Sequence, residues 1–191
     1  MSDNQVLLQT ARDAETAFAA RRDPDQLTRA VEALENVQWR EPLHLPERGR
    51  LRRETLDAWL HLVRLVDDAL DPDFDPGRLP ELAVQPPPTR DGIVYPPGAD
   101  PALIEDPDSR DRYARELADN RAYAEHYRLQ SRLRPLEERV VDACSAFIKD
   151  SYRGNPADER EAKAAIQAVI KSPRRRAALL SLLASPSSTA P

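Results

Sequence analysis

The chain has 191 residues, 40% of them apolar, with a formal net charge of -5; this is enough for one ordinary core and too much for a chain disordered throughout. The acidic excess argues against a dedicated nucleic-acid binder, which needs a basic face to neutralise phosphates. A single cysteine, Cys144, excludes an internal disulfide and a cysteine-built zinc cage and points to a reducing compartment, the cytoplasm by default, while no apolar run is long enough to span a bilayer.

The first predicted helix covers about 4–22, with Leu7, Ala11, Ala14 and Phe18 at helical spacing along one side. Asp23 followed by Pro24 restarts the chain, since aspartate can accept from orphan amides and proline at the first helical position loses no hydrogen bond. Leu27, Ala30, Val31 and Leu34 give the second helix its stripe, so the two should form a hairpin. The pair resembles one tetratricopeptide-type unit, but no second copy follows at that period, which excludes a repeat array.

Pro42 and Pro46 mark the next connection, with Trp39, Leu43 and Leu45 expected to anchor it against the helices. A third helix is predicted over about 47–70, with a core stripe of Leu56, Trp59, Leu60, Val63, Val66 and Leu70. Residues 71–107 then hold ten of the eighteen prolines and three of the five glycines, a composition that sustains neither helix nor central strand. Its apolar residues, Phe74, Leu79, Leu82, Val84, Ile93, Val94, Tyr95, Leu103 and Ile104, predict an extended strap that is partly docked, with Ile93 to Tyr95 open to a short extended piece.

Asp106 and Pro107 repeat the cap and open a long helix over about 108–152. Tyr113, Leu117, Asn120, Ala124 and Tyr127 share one side of its first half, whereas Leu129, Leu133, Leu136, Val140, Cys144 and Phe147 lie on nearly the opposite side of its second. The second stripe keeps its phase through Pro135, which predicts one kinked helix despite the roughly 3 kcal/mol cost of an interior proline. Gly154 stops it. Asn155 with Pro156 caps a helix whose face is Ala162, Ala165, Ile166, Val169 and Ile170, Ser172 with Pro173 caps a last one to about 184, and residues 185–191 are expected to form a disordered tail.

Several clusters invite a chemical reading. Glu54, Asp57 and His61 stand three and four apart and could meet at one metal ion or act as an acid–base pair, but they project away from the apolar stripe, as a solvated face would. Asp71, Asp73 and Asp75 alternate like the first ligands of a calcium loop, yet Pro76 stands where that loop needs glycine and Leu82 where it needs glutamate, which leaves turn chemistry. Cys144 falls on an apolar stripe and is expected to be an inert core thiol. Pro86, Pro87 and Pro88 before Thr89 and Arg90 could form a polyproline ligand but lack a specific spacing.

Two clusters suit recognition. Tyr113, Tyr123 and Tyr127 are amphipathic residues of the kind enriched at partner surfaces. Lys171, Arg174, Arg175 and Arg176 surround a helix N-terminus, where positive charge opposes the dipole unless an anion or a carboxylate sits there.

The sequence therefore predicts an all-α protein, a helical bundle of about six helices with a long kinked helix over 108–152 and a proline-rich extended strap over 71–107. It should form one domain over 4–184, the alternative being two lobes, 1–70 and 108–184, joined by the strap. The expected role is non-catalytic: a cytoplasmic protein that binds a protein partner or itself through Tyr113, Tyr123 and Tyr127 or through the C-terminal helix, without cofactor or membrane insertion. Two alternatives remain: a nucleic-acid or anion module at Lys171, Arg174, Arg175 and Arg176, and a metal-dependent enzyme at Glu54, Asp57 and His61.

Overall fold

A computed structural model describes residues 2–41, 44–81, 84–88, 92 and 94–183. The expectations for Leu43, Leu82, Ile93, Thr89, Arg90 and the tail at 185–191 lie outside the described residues. Among those described, the chain is all-helical: α1 (Asp3–Arg21), α2 (Pro24–Glu35), α3 (Leu45–Ala69), α4 (Pro107–Ser151), α5 (Pro156–Val169) and α6 (Pro173–Ser181), with one 3-10 turn at Pro101–Leu103 and no strand. No helix of the described residues is long and apolar enough to cross a membrane.

The helix starts follow a common chemistry. Asp23, Asn155 and Ser172 each accept a first-turn amide ahead of a proline in α2, α5 and α6, and the Ser109 amide donates to Asp106 Oδ2 at 2.9 Å ahead of Pro107 in α4. α1 instead uses a capping box, in which Ser2 and Gln5 satisfy each other's amides. It ends at Arg22, whose φ of 54° is left-handed and whose amide bonds the Phe18 carbonyl. α3 begins at Leu45, two residues before its expected start, because Pro46 fits the first turn where its missing donor costs nothing. Leu45 itself is 73% exposed and anchors nothing, contrary to expectation.

The chain divides into two compact units, one made of Met1–Leu70 with Arg132–Pro191 and the other of Asp71–Ser131. In the first unit α1 pairs with α2, both meet α3, and α5 links α3 to α6. The predicted stripes are buried: Ala11, Ala14 and Phe18 on α1, Leu27, Ala30, Val31 and Leu34 on α2, and Leu56, Trp59, Leu60, Val63 and Val66 on α3. On α1 the inward position is Leu8 rather than the half-buried Leu7. Burying a side chain of this size contributes about 1.5–3 kcal/mol. Asn4 clasps the backbone of Gln38 through two hydrogen bonds, 2.8 and 3.3 Å, and so fastens the start of α1 to the chain beyond α2.

α4 passes through Pro135 as one helix. Pro135 and Ser131 are both exposed, so the Ser131 carbonyl that loses its helical donor can turn to water. Leu133, Val140, Cys144 and Ile148 are fully buried on the inner side of its second half. Gly154, with φ of 93°, follows the helix as a stop that a side chain would strain.

The second unit is the strap together with the first half of α4. Among the described residues its apolar nucleus comprises Val84, Ile104 and Tyr113 with Leu117 against them. Pro86 is buried here too. Asp71 and Asp75 each accept the amide two residues on, at 2.9 and 2.8 Å, which is the turn chemistry that the alternating aspartates suggested.

Candidate interaction surface

The face of α4 that carries the tyrosines is the face on which the strap lies. Running up the helix, the Tyr113 hydroxyl donates to the Val84 carbonyl (3.2 Å), Asn120 Nδ2 to Glu81 (2.9 Å), the Tyr123 hydroxyl to Arg78 (2.6 Å) and the Tyr127 hydroxyl to Pro76 (3.0 Å). Gln130 Oε1 accepts the Asp71 amide at 2.9 Å, and His126 Nε2 lies 2.9 Å from Asp71 Oδ2. The strap thus runs antiparallel to the helix.

A proline-rich segment has few amides to offer but retains every carbonyl, and α4 meets it with side-chain donors at positions that share one helical face. Aromatic contacts reinforce the ladder: Phe74 lies 6.2 Å from His126 and 5.4 Å from Tyr127 between ring centroids, and the Arg78 guanidinium sits 5.0 Å from the Tyr123 ring. Tyr113 is only 1% exposed, and Tyr123 and Tyr127 are half-buried. The three residues expected at a partner interface therefore hold the chain's own strap.

What the second unit turns outward is the strap itself. Leu79 is 70% exposed, Val94 71% and Leu103 51%. Leu79 borders a cleft of about 400 Å³ formed with Arg78, Pro80, Glu81, Val84, Glu116, Asp119, Asn120 and Tyr123. Glu81, Glu116 and Asp119 are exposed and make no ion pair among the described residues. A second cleft of about 480 Å³ joins Pro87, Pro88, Tyr95 and Ile104 to Glu105, Asp106, Pro107 and Ser109. Residues 71–131 carry 13 acidic and 7 basic side chains, a net -6, whereas the remaining residues carry 20 and 21, a net +1. The acidity of the whole chain resides in this unit.

The residues weighed for metal or acid–base chemistry are drawn to different neighbours. His61 Nδ1 is 2.7 Å from Oε2 of Glu15, a carboxylate only 6% exposed on α1. Glu54 is 3.9 Å from Arg50. Burial, then the charge of Glu161, pushes the Asp57 carboxyl above its ordinary range against the pull of Arg53. No three His, Cys, Asp or Glu side chains among the described residues are gathered to hold a metal ion. Cys144 is fully buried and desolvation pushes its thiol up to about 12, which leaves no thiolate for nucleophilic attack near neutral pH.

The basic cluster is split. Arg175 pairs with Glu137 of α4 and lies 4.0 Å from Asp67 of α3, and Arg176 donates to the carbonyls of Ile170 (2.8 Å) and Lys171 (3.3 Å). Lys171 and Arg174 are exposed. Carboxylates and carbonyls of the first unit thus answer half of the charge that the helix N-terminus opposes.

Sequence reasoning missed a network in the first unit. Arg52 donates to Asp158 (2.6 Å) and to the Ser151 carbonyl (3.2 Å), and its guanidinium lies 4.5 Å from the Tyr152 ring. The Tyr152 hydroxyl reaches Glu161 (3.3 Å), which is 3.8 Å from Arg53. Burial raises the Tyr152 phenol, whereas the bond to Asp158 holds Arg52 in its charged form. Also unforeseen is a shallow apolar groove of about 280 Å³ where Trp39, Trp59 and Phe147 meet Leu34 and Val37. Neither has a local signal, because Arg52 and Asp158 stand 106 positions apart. In comparisons with known proteins, no family model, no curated protein and no solved structure matches the chain.

Proposed function

We propose that this protein is a non-catalytic, cytoplasmic interaction module, and that the strap side of its second unit is the surface it offers to a protein partner. The observation that carries this reading is the concentration of exposed large apolar side chains, Leu79, Val94 and Leu103, on a segment whose own backbone is already bonded to α4. Isolated exposed leucines are common on any protein, but three large apolar side chains exposed on one strap, with Leu79 bordering a cleft, favour a contact role. The pairing of Glu54 with Arg50 and of His61 with Glu15, and the burial of Cys144, support a role without chemistry of its own. Because Arg175 and Arg176 are used within the fold, the anion-binding alternative is left with Lys171 and Arg174 and is the weaker reading.

The test is capture from a native lysate with the full chain and with the Leu79→Glu/Leu103→Glu variant as baits. A protein held by the first and lost from the second, with unchanged circular dichroism, is the expected result. Identical sets on both baits, or nucleic acid in place of protein, would overturn the proposal.

A further inference from the structure

We infer that the cleft beside Leu79 receives a basic amphipathic peptide segment, with an apolar side chain against Leu79 and Pro80 and arginine or lysine facing Glu81, Glu116 and Asp119. This deepens the interaction reading above and rests on it. Three features of the cleft select that occupant.

Charge is the first. Three exposed carboxylates without ion-pair partners among the described residues surround one cation, Arg78, which is stacked on Tyr123. The net -6 of residues 71–131 adds a field that draws cationic ligands and repels acidic ones.

Size is the second. A space of about 400 Å³ holds one or two side chains and not the face of a folded domain, so the ligand enters as a segment. The exposed Leu79 gives it an apolar anchor that pure charge attraction would not need.

The third is the state of the backbone. Where the strap borders the cleft, the carbonyls of Arg78 and Glu81 already accept from Tyr123 and Asn120, the Arg78 amide donates to Asp75, and Pro80 has no amide. With both main-chain groups of Arg78 and the carbonyl of Glu81 taken, a continuous strand-addition ladder has too few sites along this stretch, so recognition runs chiefly through side chains.

The test uses the full chain and three labelled synthetic peptides of equal length, read by fluorescence polarisation. One alternates leucine with arginine at helical spacing, one replaces each arginine by glutamate, and one replaces each leucine by serine. The leucine–arginine peptide should bind most tightly, the glutamate peptide not at all, and added salt should weaken the complex. Glu116→Gln/Asp119→Asn should lower affinity roughly fivefold, as expected for two rim charges, and Leu79→Ser should remove the preference for leucine over serine. Equal binding of the arginine and glutamate peptides, or unchanged affinity in both variants, would overturn the inference. So would indifference to leucine, which would reduce the effect to bulk charge. Sedimentation showing that the chain self-associates, and that Glu116→Gln/Asp119→Asn abolishes this, would assign the cleft to a second copy and also overturn it. If no peptide binds while Leu79→Glu/Leu103→Glu still loses a captured protein, the inference fails and the interaction reading survives.

Discussion

The two units reach order by different physics. The first is assembled from helices that hide leucine, alanine, valine and isoleucine from water, and its surface ion pairs, such as Arg40 with Asp150 and Arg139 with Glu35, decorate a core that already exists. The second has, among its described residues, an apolar nucleus of three buried side chains, and it is ordered largely by hydrogen bonds from α4 side chains to strap carbonyls. An apolar contact tolerates approximate placement, while a hydroxyl must reach a lone pair. A segment too proline-rich for a ladder of its own can thus be fixed by borrowing donors from a neighbouring helix.

The severest way to break this contrast is to cut the first core. Leu133→Ala, at a position with no exposed surface, should cost about 2–5 kcal/mol in denaturant unfolding. A loss under 1 kcal/mol would mean that the core does not carry the first unit.

The ladder can be cut without touching apolar volume. Replacing Tyr113, Tyr123 and Tyr127 together by phenylalanine should cost about 1–3 kcal/mol. The loss should appear as faster amide exchange and proteolysis between 71 and 88, with exchange in α1 to α3 unchanged. Tyr113→Phe alone should be the mildest of the three single changes, because the Val84 carbonyl also accepts from the Gly98 amide at 2.9 Å. Equal protection in the triple variant and the parent would show that the strap is held by packing.

A smaller effect probes Glu15, which with Glu159 is one of two buried carboxylates among the described residues of the first unit. Desolvation raises the Glu15 carboxyl above its ordinary value, with His61 and Arg12 pulling it down. A group that holds its proton more tightly when folded contributes stability below its unfolded pKa, and that contribution is lost as pH climbs through the folded value. Glu15→Gln keeps an acceptor for His61 and cannot ionise. It should be close to neutral near pH 4 and stabilising by on the order of 1 kcal/mol near pH 7, whereas His61→Ala should destabilise near neutral pH by leaving the carboxylate unanswered. Melting temperatures across that range decide it, and a pH-independent difference would refute the linkage. The least effect belongs to Arg40→Ala, expected within about 0.5 kcal/mol because both partners of that ion pair are more than half exposed.

Local rules carried much of the fold. The stripe Leu27, Ala30, Val31 and Leu34, the caps ahead of Pro24, Pro107, Pro156 and Pro173, and the stop at Gly154 each depend on residues within one or two turns, so spacing and side-chain chemistry sufficed. The site was legible only in half. Helical spacing grouped Tyr113, Asn120 and Tyr127, but what they touch is main-chain oxygen, which every residue carries and no composition reveals. Glu15 shows the same limit, since its hydrogen-bond partner on the inner side of α1 is His61, which arrives from α3.

The order of the units along the chain bears on synthesis. Residues 71–131 are contiguous, so the strap can find its tyrosines as soon as the front of α4 has left the ribosome. The flanking unit is interrupted: α3 must wait for α5, which begins 87 residues after α3 ends. Until then α3 lacks one of the helices it packs against, and a nascent chain stalled before Pro156 would leave that side of α3 open to chaperones.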